Sequence, residues 1–101
     1  MEQKTFAYEA AGQTLVIHLP REIDHHNCKK LKIETDLLLE ENYIRRIVFD
    51  FSHTQFMDSS GIGLILGRHK LVSAMGGVVV VQKAPKDIKR MLSIAGIESK
   101  D

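Results

Sequence analysis

Apolar and polar residues alternate from Thr5 to Ala10 and again from Thr14 to Leu19, on either side of Ala11-Gly12-Gln13. A period of two belongs to a strand with one buried face, and a glycine that can take the left-handed conformation suits a tight turn; two strands joined by a short loop are predicted. From Asp24 the period lengthens. Cys28, Leu31 and Leu38, with Leu37 alongside, recur at helical spacing to about Glu41, with Asp24 placed to cap the first turn and Asn42 to end the helix. Ile44 to Phe51 holds Ile47-Val48-Phe49, a β-branched and aromatic run that reads as a buried strand.

A second helix is predicted from about Ser60 to Met75, stopped by Gly76-Gly77. Its apolar residues fall on two stripes, Ile62, Ile65 and Val72 on one and Leu64, Leu71 and Met75 on the other, so it is apolar over more than one core-facing sector. Either both sides are buried, or one is left for a partner. Val78 to Val81 is four valines in succession, the pattern of a strand covered on both faces in a parallel sheet. Pro85 then suits the first turn of a last helix to about Ala95, with Gly96 as its C-terminal cap. Strand, strand, helix, strand, helix, strand, helix is the order of an α/β domain with right-handed crossovers. No repeat, linker or low-complexity segment interrupts it.

Composition narrows the function classes. With 101 residues, 44% hydrophobic and 27% charged, residues 1–101 make one domain with no room for a separate catalytic one. The formal net charge is +1 and the basic residues are scattered; the tightest group, Lys83, Lys86, Lys89 and Arg90, fits the solvated face of a short helix. No nucleic-acid or membrane partner is expected from this pattern. No basic-then-apolar leader and no apolar run of spanning length occurs, so a soluble cytoplasmic protein is expected. Cys28, the single cysteine, reads as a small core residue.

Candidate chemistry concentrates in Phe56 to Arg68, where Asp58, Ser59 and Ser60 stand between an extended segment and a glycine-rich helix. One of the three must cap the helix by accepting from a first-turn amide. Capping does not explain Gly61, Gly63 and Gly67, since a helix-interior glycine costs about 1 kcal/mol against alanine. Gly63 and Gly67 share a helical face, where they allow close approach of a strand below or a partner above.

Catalytic readings fail on spacing. After Gly61-Ile62-Gly63 the next glycine comes one residue too late for the dinucleotide fingerprint, and no Gly-Lys-Ser or Gly-Lys-Thr forms a phosphate loop. Met57-Asp58 precedes the serine, so no Gly-x-Ser-x-Gly elbow presents it as a nucleophile. His25 and Cys28 lie one helical turn apart without a second ligand pair, which does not make a zinc site. No catalytic residue, metal or cofactor is expected.

Phe56 to Arg68, together with Glu22-Ile23-Asp24-His25-His26 leading into the first helix, closely resembles the STAS domain of anti-anti-sigma factors, and the element order matches from about Thr14 to Gly96. The resemblance implies an α/β fold with a mixed, mostly parallel sheet covered by helices. It implies a non-enzymatic partner-switching protein that regulates sporulation transcription. Unphosphorylated, such a protein binds an anti-sigma factor that is also a GHKL-type serine kinase, releasing the sigma factor. Phosphorylation of the serine directly after the aspartate, here Ser59, ends binding, and a PP2C-type phosphatase restores it.

On that resemblance Asp58 orients the loop or directs the kinase, Ser60 is the cap, and Asp24, His25, Gly61, Ile62 and Gly63 complete the partner-binding set. Two departures are visible. Arg21 stands where relatives commonly carry glycine, and only Ile97 to Asp101 follow Gly96, where the family continues with another strand and a C-terminal helix. The usual last strand and helix are therefore expected to be absent, leaving Val78 to Val81 at a sheet edge through which a homodimer could form.

Overall fold

Residues 6–100 are described in the computed structural model. Thr5, the expected start of the first strand, and residues 1–4 and 101 of the expected domain lie outside them. The chain forms β1 (Ala7–Ala11), β2 (Thr14–His18), β3 (Glu22–Ile23), α1 (His25–Glu41), β4 (Arg46–Asp50), β5 (Phe56–Met57), α2 (Ser59–Ala74), β6 (Val78–Gln82), α3 (Lys86–Ile94) and β7 (Ser99–Lys100). A hairpin turning at Gly12, with φ +60, pairs β1 antiparallel to β2. Beyond it the main sheet runs β1-β2-β4-β6-β7, with every later pairing parallel; β3 and β5 form a separate two-stranded ribbon.

Register decides which face is the core. Leu15, Ile47 and Val79 are neighbours across the strands, as are Ile17, Phe49 and Val81, and these rows share one face. Against the buried members of those rows pack Leu31 and Leu38 of α1, Ile65 and Val72 of α2, and Ile88 and Leu92 of α3. Val16, Val48 and Val80 form a row on the opposite face and lie outside that core. The four valines expected to be covered on both faces pack against the main core on one face only, although Val48 on the other face is also buried. Val81 is buried, Val79 and Val80 are half-buried, and Val78 is exposed. A period-two pattern would have revealed this, but valine on both faces hides it.

Helix ends follow local chemistry. Asn42 ends α1, its backbone and side-chain amides both donating to the Leu38 carbonyl at 3.1 and 2.9 Å. At the end of α3, Gly96 N–H donates to Ser93 O and Ile97 N–H to Leu92 O, at 3.0 and 2.8 Å, the paired closure of a Schellman motif. That closure buries Ile97 and turns the chain back toward the sheet. Here the expectation of a missing last strand is corrected: Ser99–Lys100 pairs with Val81–Gln82 as a two-residue β7. It covers only the far end of β6, and Val78 to Val80 keep an edge without a strand partner among the described residues.

On the face opposite the core, His18 joins three strands. Its Nδ1 lies 2.8 Å from Asp50 Oδ2 and its Nε2 3.0 Å from Glu9 Oε2. Two carboxylate partners require both ring nitrogens to donate, which is the imidazolium form. The hydrogen bonds to Glu9 and Asp50 accordingly raise the His18 pKa above its ordinary 6.5. Burial pushes the Asp50 carboxyl up, but the Ser52 amide at 2.9 Å and His18 outweigh it and hold its pKa below the ordinary 3.8.

A raised histidine pKa contributes stability that is complete below about 6.5 and is lost as pH rises through the folded value. A lowered aspartate pKa contributes above about 3.9 and is lost as pH falls through its folded value. Thermal melts at pH 6 and pH 8.5 should therefore show a fall in Tm across the interval that shrinks in His18→Gln. An equal fall in both proteins would remove His18 as its cause.

Candidate functional site

Two strand-to-helix junctions lie side by side, and the β3–β5 ribbon aligns them. Glu22 faces Phe56 and Ile23 faces Met57 in parallel register, which brings the starts of the two following helices together, the His25 amide reaching Asp58. Backbone bonds hold the ribbon: Gln55 and Phe56 amides donate to Arg21 O at 2.7 and 3.2 Å, and the Asp58 amide donates to Ile23 O at 3.1 Å. Thr54 Oγ1 donates to Pro20 O at 2.8 Å, and Arg21 Nε to Gln55 Oε1 at 2.9 Å. Arg21, the departure at this turn, thus braces it from both its carbonyl and its side chain.

Each junction carries an aspartate cap. Asp24 is extended and accepts from the Asn27 amide at 2.8 Å, as its position predicts. At the second junction the expected cap, Ser60, is instead a residue of the helix, and Asp58 is the cap. Pairing of β5 holds Asp58 extended at φ −98 and ψ −174, so its carboxylate reaches forward to the Ser60 amide at 2.9 Å. The helix consequently begins at Ser59, one residue before the expected start. Asp58 uses its other oxygen to accept from the His25 amide at 3.2 Å, tying the start of α1 to the start of α2.

The sequence-predicted residues divide by burial. Ser59 and His25 are exposed, and Ser59 makes no side-chain hydrogen bond among the described residues. Asp24, Asp58, Ser60 and Ile62 are half-buried, and Gly63 is exposed. Gly61 is buried: a Cβ there would lie 2.3 Å from Met57 Cγ and 3.1 Å from Ile23 Cγ2, so its bare backbone lets α2 seat on the ribbon. Gly61 therefore faces the protein interior, whereas Gly63 faces outward.

Of the two apolar stripes on α2, Ile65, Val72 and Leu64 are buried, while Leu71 and Met75 remain 42% and 65% exposed beside Leu39 and Ile44 of the neighbouring segment. Phe56, 53% exposed on the outer side of the ribbon, is a further apolar residue at the site that the motif did not single out. Its only signal was its place next to Met57 in an extended segment, where successive side chains point to opposite faces. Arg68 was also missed as a site feature: it is buried and pairs with Asp36 across 32 residues, a contact that no local pattern announces.

Cys28 is buried as expected, and its thiol pKa is pushed up by burial and by the nearby charges of Asp58 and Asp24. It is therefore held as the unreactive thiol. Among the described residues no three side chains are grouped to hold a metal ion, and no helix is long and apolar enough to cross a membrane.

This sheet with two aspartate-capped junctions is that of a STAS domain, and the chain belongs to the STAS family, which it matches over residues 5–100. Over 83 residues it is 35% identical to the anti-sigma F factor antagonist of Paenibacillus polymyxa, an alignment covering 82% of this chain and 71% of that protein. Among solved structures it is similar to the anti-sigma factor antagonist SpoIIAA in its unphosphorylated form, with a TM-score of 0.82, 28% identity and coverage of 91% of this chain and 81% of that one. It also matches the Bacillus cell fate determinant SpoIIAA in the phosphorylated form, with a TM-score of 0.78, 28% identity and coverage of 91% and 84%.

The two caps can be compared directly. Replacing a capping aspartate by alanine costs about 0.5–2 kcal/mol. Urea unfolding should place Asp58→Ala toward the upper end of that range and Asp24→Ala lower, because only Asp58 serves both helices. Equal losses would mean that the bond to His25 contributes nothing.

Proposed function

We propose that the chain is an anti-sigma factor antagonist that works by partner switching, with Ser59 as its phosphoacceptor. In its unmodified form it binds an anti-sigma factor that is also a GHKL-type serine kinase, and the sigma factor is released to direct sporulation transcription. The kinase transfers the γ-phosphoryl group of ATP to Ser59 Oγ, the hydroxyl proton leaves, and ADP departs. A PP2C-type phosphatase returns the serine. Nucleotide and magnesium belong to the kinase, and the domain acts by binding, without catalysis of its own.

The observation that carries this reading is the setting of Ser59. Its hydroxyl is exposed at the first position of α2, unengaged, while Asp58 takes over the capping that a serine there would otherwise compete for. A kinase can remove the hydroxyl proton without breaking a hydrogen bond of the fold. The anti-sigma F factor antagonist relatives, and the fact that SpoIIAA is known in unphosphorylated and phosphorylated forms, support the same role.

Charge explains why phosphate would act on binding and leave folding alone. A phosphoserine carries about −1.5 to −2 charges at pH 7, and a helix N-terminus stabilises negative charge by about 0.3–1 kcal/mol. Within the domain the modification is therefore tolerated. At a docked interface the same charge, beside Asp58 and Asp24, repels any partner carboxylate brought close. A loss of about 3 kcal/mol weakens a complex by about two orders of magnitude.

Incubation with the cognate kinase and labelled ATP should transfer phosphate to the wild type and not to Ser59→Ala; equal labelling of both would move the acceptor elsewhere. Ser59→Asp should melt within a few degrees of wild type yet bind the kinase at least tenfold more weakly by calorimetry. Unchanged affinity would contradict the electrostatic mechanism.

A further inference from the structure

The outward face of α1 carries two apolar residues that the core does not use. Ile33 is 61% exposed and Leu37 50%, one helical turn apart. Charges are sorted around this pair. Lys29 and Lys30 precede it, Glu40 and Glu41 follow it, and all four are exposed. Lys29 stands about three turns from Glu40, and Lys30 about three turns from Glu41, so each lysine shares a flank of the helix with one glutamate. One flank borders α2, where Lys29 lines a depression with Gly63 and Glu40 lines another with Leu71. The other borders β1, where Glu41 lies near Tyr8.

This sorting does nothing for the domain itself. Among the described residues none of the four charged side chains makes an ion pair. Glu40 and Glu41 occupy the last turn of α1, where the helix dipole disfavours negative charge, and the first turn holds no acidic residue. A second copy of the helix, running antiparallel, uses all of it. A two-fold axis perpendicular to α1 at the level of Thr35 sets Ile33 opposite Leu37 of the second copy. Such an axis keeps each flank on its own side, so Lys29 meets Glu40 across the contact and Lys30 meets Glu41, each pair occurring twice. A parallel arrangement would set lysine against lysine and glutamate against glutamate.

We propose that the outer face of α1 is a homodimer contact, in which two copies pack antiparallel with Ile33 and Leu37 at the centre and Lys29, Lys30, Glu40 and Glu41 fixing register and direction. With two apolar residues per copy and exposed ion pairs, the contact is weak and sensitive to salt. It leaves the candidate site open. Because α1 is 17 residues and about 25 Å long, antiparallel pairing sends the two Ser59 positions to opposite ends of the paired helices. The inference goes beyond the antagonist function and does not depend on it.

Sedimentation equilibrium of the full chain over a hundredfold range of concentration should show a reversible monomer–dimer equilibrium that weakens as salt is raised. Lys29→Glu/Lys30→Glu and Glu40→Lys/Glu41→Lys should each self-associate at least tenfold more weakly, whereas an equimolar mixture of the two should form a one-to-one dimer at least as tight as the wild type. Both exchanges suit the dipole of α1 better than the native charges do, so Tm should hold. Ile33→Glu, at an exposed position, should likewise keep Tm and lose the dimer. A wild type that stays monomeric throughout, or a mixture that fails to associate, would overturn the proposal. So would wild-type dimerisation in the charge variants, which would move the contact elsewhere, such as the open edge at Val78 to Val80.

Discussion

A single carboxylate ties together the two strand-to-helix junctions of the domain. Asp58 accepts from the Ser60 amide with one oxygen and from the His25 amide with the other, so the first turns of α1 and α2 cannot shift independently. The ribbon of β3 and β5 makes that geometry available by bringing the two junctions into register. Because the cap is the aspartate, the serine after it is left free. Had Ser59 been the cap, its hydroxyl would have been engaged with the helix it begins.

The second helix meets two opposed demands along its length. At Gly61 the helix is pressed onto Met57 and Ile23, with no space for a Cβ. Two and six residues later, glycine instead leaves space on the side facing α1. The same residue type thus serves adhesion at one position and vacancy at the others. Burial of Ile65 and Val72 anchors the helix to the sheet, so the glycines on its other side are not needed to seat it.

Much of the fold is legible in the sequence because three signals are local. The alternation of Leu15 and Ile17, the run Ile47-Val48-Phe49 and the helical spacing from Cys28 to Leu38 each specify an element without help from the rest of the chain. The two-residue strands β3, β5 and β7 are too short to show any period. The cap was ambiguous because Asp58, Ser59 and Ser60 can all accept from an amide; only pairing of β5 with β3 decides which one is extended. Ser59 as the proposed phosphoacceptor rests on resemblance, and its exposure is seen only in the structure. Arg68 stayed hidden for a different reason: its partner Asp36 lies on another helix, and pairing across such a separation leaves no periodic trace.

Two parallel helices starting side by side give the site a fixed electrical background. Each N-terminus carries the equivalent of about half a positive charge, so the pair together offers about one. Against it stand the two capping carboxylates, Asp24 and Asp58. The balance is thus about one negative charge, and a phosphate of about −1.5 to −2 charges arriving at Ser59 would more than double it. What a partner would read at this surface is the strength of a potential. The shape beneath it need not move at all.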